Sequence, residues 1–241
     1  MIPIEQAKFL IETGIRNGEF PRYLYKYREF NENTESIFSE NSLWFSKPTA
    51  FNDPFDCQIF DSSAYTQEDV ETYLLKRAGV PPEMAKEIAK KFESTPEYFS
   101  RLLEEVKQRI IGSKGILSLS QHPDNILMWS HYSKAHSGFV LGFDILGDIP
   151  FFTAPLNIRY QKDYPAFQYL KEPDKIVSHG VITKSELWRY EGEIRIIKNE
   201  SGKLKFAREC LKEVIFGYRS TQADREKLFN FLKNMPTMVS P

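Results

Sequence analysis

The run Gly115–Asp144, GILSLSQHPDNILMWSHYSKAHSGFVLGFD, constrains this chain most, because it reads as strand, turn, short helix and strand with little room between them. Ile116 to Ser120 is a compact strand ending in two alternating serines, Ser118 and Ser120. Pro123 and Asp124 open a helix, where a missing N–H and a capping side chain both favour a start. Gly138 is expected to stop it in a left-handed cap. Phe139 to Phe143 then reads as a buried strand, apolar on both faces but for Gly142. The helix crowds Leu127, Met128, Trp129, His131 and Tyr132 into about a turn and a half, so nearly every face carries something large. Two readings follow: a helix buried on most sides, or one whose Trp129, His131 and Tyr132 line a pocket.

Composition bounds the class without choosing a function. The chain has 241 residues, 41% of them hydrophobic and 14% aromatic, enough for a real core. With 32 basic against 33 acidic residues, no global field points to nucleic acid or membrane, although a local basic groove stays open. No apolar run approaches the ~18 residues of a spanning helix. The N-terminal MIPIEQAKFLIETG is amphipathic and lacks a cleavable signal pattern, so a cytoplasmic location is expected. Cys57 and Cys210, far apart in sequence, read as buried thiols rather than a disulfide.

Along the chain, residues 4–17 read as a helix. Residues 22–28, RYLYKYR, read as a strand with Tyr23, Tyr25 and Tyr27 on one face and Leu24, Lys26 and Arg28 on the other. A short helix capped by Asn33 follows, then a strand at Leu43–Ser46 and a proline-rich loop, KPTAFNDPFDC. Residues 66–111 are charged and helical, cut at Pro81-Pro82 and Thr95-Pro96 into roughly three helices, and read as an insertion at about 66–112 in a single domain. Further strands are expected at 157–160, 187–198 and 211–216, with 162–186 mixed and a closing helix at 221–233. The fold class expected is α+β: a split or strongly bent, mostly antiparallel sheet with flanking helices.

The most specific chemical signal is LWRYEGEIRIIK at 187–198. As a strand it places Glu191, Glu193 and Arg195 on one face. Close carboxylates repel, and a neighbouring guanidinium relieves that penalty. The bland alternative is an exposed surface ion pair worth about 0–1 kcal/mol; the sharper one is a carboxylate held in a cleft to steady a developing positive charge. Metal signals are weak. His131 and His136 are five apart, about 140° around a helix, and no paired-cysteine motif exists. Only Asp53 and Asp56 with the glutamates suggest an oxygen site, and as turn formers they need no ligand. No nucleophile elbow and no phosphate-cradling glycine loop occurs.

Four segments together resemble the bacterial family catalogued as domain of unknown function 2971: LYKYR (24–28), LWFSKPTAFNDPFDC (43–57), LSLSQHPDNILMWSHYSKAHSGFVLGFD (117–144) and WRYEGEIRI (188–196). Their order is also similar to the ADP-ribosyltransferase fold of toxins that modify DNA bases. In that fold an L-Y-H strand opens the chain, a later strand carries a small hydroxyl or aromatic residue, a helix packs under nicotinamide, and a late strand supplies a glutamate. The resemblance implies NAD as cofactor and a nucleic-acid or protein target, in a phage-defence or toxin context. It implies catalytic roles for Glu193, Glu191 and Tyr132. It implies cofactor contacts from Lys26, Tyr25, Ser118, Ser120, Trp129, His131 and Arg195, and no metal. Lys26 stands where the family has His or Arg, a point charge in place of a flat donor. Two other readings remain open: a non-catalytic nucleotide or nucleic-acid module using Lys26, Arg28, Arg195, Tyr25 and Trp129, and metal-dependent phosphodiester cleavage by Asp53, Asp56, Glu191 and Glu193.

Overall fold

Tyr23–Arg28 (β1) alternates side chains as its sequence demands. Leu24 is fully buried on one face, and Tyr27 is buried on the other against Met128, Trp129 and Val140. Around it the computed structural model, which describes residues 3–58, 65–164 and 167–236, arranges the chain as two compact units. In chain order the elements are α1 (Ile4–Arg16), β1, α2 (Thr34–Ser39), β2 (Ser42–Phe45), α3 (Gln67–Lys76), α4 (Pro82–Ser94), α5 (Pro96–Gly112), β3 (Gly115–Ser120), α6 (Ile126–Tyr132), β4 (Phe139–Asp144), β5 (Leu156–Asn157), β6 (Arg159–Gln161), α7 (Ile176–Ile182), β7 (Thr183–Ser185), β8 (Glu193–Lys198), β9 (Gly202–Lys205), β10 (Leu211–Phe216) and α8 (Gln222–Lys233).

The first unit comprises residues 1–47, 114–160 and 186–241. Its main sheet runs β10-β4-β1-β3-β8-β5, all antiparallel, so the fold is α+β with a mostly antiparallel sheet. The sheet is split. β1 pairs with β4 over its whole length, from Tyr23↔Asp144 to Arg28↔Phe139, but meets β3 only at Tyr25↔Ser120. Further along β3 the bridge Ser46↔Ile116 brings in the end of β2, which pairs with β9. β1 and β2 are thus the two arms of a fork that closes on β3. The core is strongly aromatic: Phe143 packs on Phe152 and Phe206, and Phe45 on Phe151. Each fully buried ring or aliphatic side chain contributes about 1.5–3 kcal/mol. α1 contributes Ala7 and Ile11, and packs closely because a Cβ at Gly14 would lie 2.5 Å from the Phe20 ring.

The second unit comprises residues 48–113 and 161–185 and contains the expected helical stretch. The breaks at Pro81-Pro82 and Thr95-Pro96 are where the sequence placed them, each proline standing at a first helical position. α3 starts from a reciprocal cap between Thr66 and Asp69. The mixed stretch 162–186 includes residues 165–166, which lie outside the described residues; the remainder holds α7. No helix among the described residues is long and apolar enough to cross a membrane. Both cysteines are buried thiols outside any disulfide, as expected, and burial pushes the Cys210 thiol well up.

Several expectations are corrected. The strand expected at 187–198 begins only at Glu193: Glu186–Glu191 is a 3-10 turn, and Gly192 follows in the left-handed region at φ 49°. Trp188, Tyr190 and Glu191 therefore do not continue the strand's alternation. α6 starts at Ile126, not Pro123, because Asn125 Oδ1 accepts from the amides of Leu127 and Met128. Gly138 is not the left-handed residue. Lys134, Ala135 and His136 take that conformation instead, and Gly138 is small because a Cβ there would lie 2.1 Å from the Arg28 carbonyl oxygen. The strand expected at 157–160 is interrupted into β5 and β6.

Candidate functional site

The register Tyr25↔Ser120↔Glu193 and Ser118↔Arg195 puts Tyr25, Ser118, Ser120, Glu193 and Arg195 on one face of the split sheet. Arg195 is fully buried and forks onto Glu193: Nε donates to Oε1 at 2.7 Å and a terminal nitrogen to Oε2 at 3.1 Å. The backbone N–H of Glu193 donates to the Tyr160 hydroxyl at 2.8 Å. Such a pair is held by geometry, and removing one partner would strip the other buried charge of this contact.

Glu191 reaches the same neighbourhood from the turn. Gly192, left-handed, reverses the chain between the two acids, and its Cα lies against His122 so closely that a Cβ would sit 2.9 Å from the imidazole Cδ2. Ser120 Oγ donates to the Glu191 carbonyl at 2.7 Å, and the Tyr132 hydroxyl donates to Glu191 Oε1 at 2.5 Å. Both carboxylates are buried, at 3% and 4% exposure, yet both act on a lysine across the sheet.

That lysine is Lys26. Alternation directs it to the opposite face from Tyr25, but it stands where β1 leaves β3 and its Nζ donates to the Ser118 carbonyl at 2.8 Å, a carbonyl facing the open side of the fork. Burial and the charge of Arg28 lower it from its ordinary 10.5 to about 8, against the opposing pull of Glu193 and Glu191. Beyond it the fork opens into a cleft of about 430 Å³, lined by Lys26 and Arg28 of β1, Asn33 and Ser36 near α2, and Ser42 and Trp44 of β2.

The remaining predicted residues fall elsewhere. Trp129 is buried: its indole N–H donates to the Pro123 carbonyl at 2.9 Å and its ring meets Tyr27 edge-on at 5.4 Å. It is a core residue. Tyr25 is drawn to Glu213 of β10; burial, then Glu213, raises its phenol. His131 is exposed, with Nδ1 2.9 Å from the Tyr190 hydroxyl. Arg195, enclosed with Glu193, is not presented to a ligand's phosphates. The structure therefore gathers Lys26, Ser118, Ser120, Tyr132, Glu191, Glu193 and Arg195, and leaves Tyr25, Trp129 and His131 to other work. Sequence reasoning missed Tyr160, whose amide-bonded hydroxyl comes from a remote segment, and the lining from α2 and β2. The one readable signal was Arg28, two residues past Lys26 and so on its face.

Asp53 and Asp56 belong to the second unit, where Asp53 accepts from the Phe55 amide and Asp56 lies 3.6 Å from the Lys184 ammonium. Among the described residues no group of three or more His, Cys, Asp or Glu side chains is set to hold a metal ion. Comparison of the chain with family models, with curated proteins and with solved structures finds no match.

Proposed function

We propose that the protein is an ADP-ribosyltransferase-like enzyme that breaks the nicotinamide–ribose bond of NAD and passes ADP-ribose to a nucleic-acid or protein target. The observation that carries this reading is the position of Lys26: one ammonium both lines the cleft and lies in the field of two buried carboxylates. A ligand in the fork would have its anionic part at the lysine, on which both acids act through their charge. The order of segments that resembles the transferase fold supports the same reading.

In the reaction the C1′–N bond breaks and its electron pair leaves with nicotinamide, while positive charge grows on the ribose. Glu193, immobilised by Arg195, offers a fixed negative charge to that state, which costs little reorganisation at the moment of reaction. The acceptor then bonds to C1′ and loses a proton. Glu191, whose carboxylate accepts from the Tyr132 hydroxyl, is the residue assigned to receive it or to hold the ribose hydroxyl. Tyr132 is a positioning residue in this scheme.

The test is nicotinamide release from NAD, with DNA, RNA and protein extracts as acceptors. Glu193→Gln and Glu191→Gln are expected to lower the rate by about 10²–10³, with folding checked by circular dichroism. Absence of release from the native chain with every acceptor, or full rates in both variants, would overturn the reading.

A further inference from the structure

Two cations, Lys26 and Arg28, line the same cleft, and among the described residues neither makes a salt bridge. Arg28 is part-buried, its Nε is enclosed without any hydrogen-bond partner, and the acid acting on its charge is its own neighbour, Glu29. Burial lowers its affinity for a proton, and it lowers that of Lys26 in turn. An enclosed donor left unpaired is destabilising, more so when charged, and bringing a second cation close adds repulsion. Nothing in the packing of β1 requires this: Leu24 on the same face is an ordinary core residue. The other cation of the cleft, Lys203, is already bound to Glu40 at 2.9 Å. Hydroxyls and amides of Asn33, Ser36, Ser42 and Ser46 surround the pair, and Trp44 stands on the lip at 58% exposure. A large ring left in water beside a polar cleft is a stacking surface for a planar group.

We infer that this cleft is a nucleotide-diphosphate site, in which Arg28 and Lys26 hold the diphosphate and Trp44 stacks on the base. The inference rests on the NAD reading for which nucleotide enters, since Lys26 belongs to both, but its physical basis is the unpaired guanidinium. A diphosphate supplies the acceptor oxygens that Arg28 lacks, and a guanidinium fork suits it better than an ammonium.

Calorimetric titration of ADP, inorganic pyrophosphate and adenosine into the full chain tests it. ADP is expected to bind, pyrophosphate more weakly, and adenosine least, with ADP affinity falling as salt rises. Arg28→Met should weaken ADP and pyrophosphate at least tenfold, with Arg28→Lys in between. Trp44→Ala should weaken ADP but leave pyrophosphate unchanged. Arg28→Met should also melt no lower than the native chain, because it removes an unsatisfied donor; a merely structural arginine would lower the melting temperature. No binding of ADP or pyrophosphate at millimolar concentration, or equal ADP affinity in native and Arg28→Met protein, would overturn the site. The two proposals separate cleanly. Arg28-dependent ADP binding without nicotinamide release keeps the site and removes the reaction; release with an unchanged KM in Arg28→Met keeps the reaction and removes the site.

Discussion

At the scale of single residues, Lys26 is where charge, burial and backbone meet. Its ammonium is held by the Ser118 carbonyl and lowered to about 8, chiefly by burial and then by Arg28. If it holds an anionic ligand, affinity for ADP should fall as pH rises through about 8, as the proton is lost. Lys26→Met should bind more weakly and show a flatter pH profile, measured by titration at several pH values; a native profile with no fall across that range would contradict the assignment. The stability effect has the opposite sign. Lys26 titrates lower in the folded chain than in the unfolded one, so between about 8 and 10.5 the unfolded chain holds more protons, and the contribution to stability rises with pH over that window. Residue types were legible here and their company was not. Glu193 and Arg195, two apart on a strand, announce a shared face. Glu191 does not join them by alternation; it arrives through the left-handed turn at Gly192 and the Ser120 contact to its carbonyl.

At the scale of elements, the segment linking α6 to β4 is strained. Lys134, Ala135 and His136 are consecutive non-glycine residues at φ 47°, 52° and 70°. Each left-handed residue with a Cβ costs about 1–2 kcal/mol. Backbone pairing holds the turn: Ala135 N–H donates to the Ser130 carbonyl, His136 N–H to that of Trp129, and the His136 carbonyl accepts from the Arg219 N–H. Ala135 is exposed, so Ala135→Gly should stabilise the chain by about 1 kcal/mol in urea unfolding; a loss of stability would show that the methyl group makes a contact that outweighs the strain. The sequence placed a single left-handed glycine at position 138. It erred because glycine answers two needs, a positive φ and a close approach, and Gly138 answers the second beside the Arg28 carbonyl.

At the scale of the whole molecule, the first unit is assembled from three separated stretches of chain, and its core is what joins them. Phe143 of β4 meets Phe152 beyond it and Phe206 from the last stretch, at ring separations of 5.8 and 5.2 Å. Phe143→Ala should therefore cost about 3–5 kcal/mol, read by thermal or urea unfolding; a cost below 1 kcal/mol would mean that the stretches are held together elsewhere. The sequence by itself determined the elements whose signal is local. β1, β3, β4 and β10 follow from two-residue alternation or apolar runs, and the helix breaks in the second unit follow from proline, because each depends only on neighbouring residues. Tertiary structure alone decided the fork. That β1 leaves β3 after one pair, that β2 takes its place at Ile116, and that Lys26 and Arg28 thereby line one cleft are relations between residues far apart in the chain, set by sheet twist and packing, to which no local period corresponds.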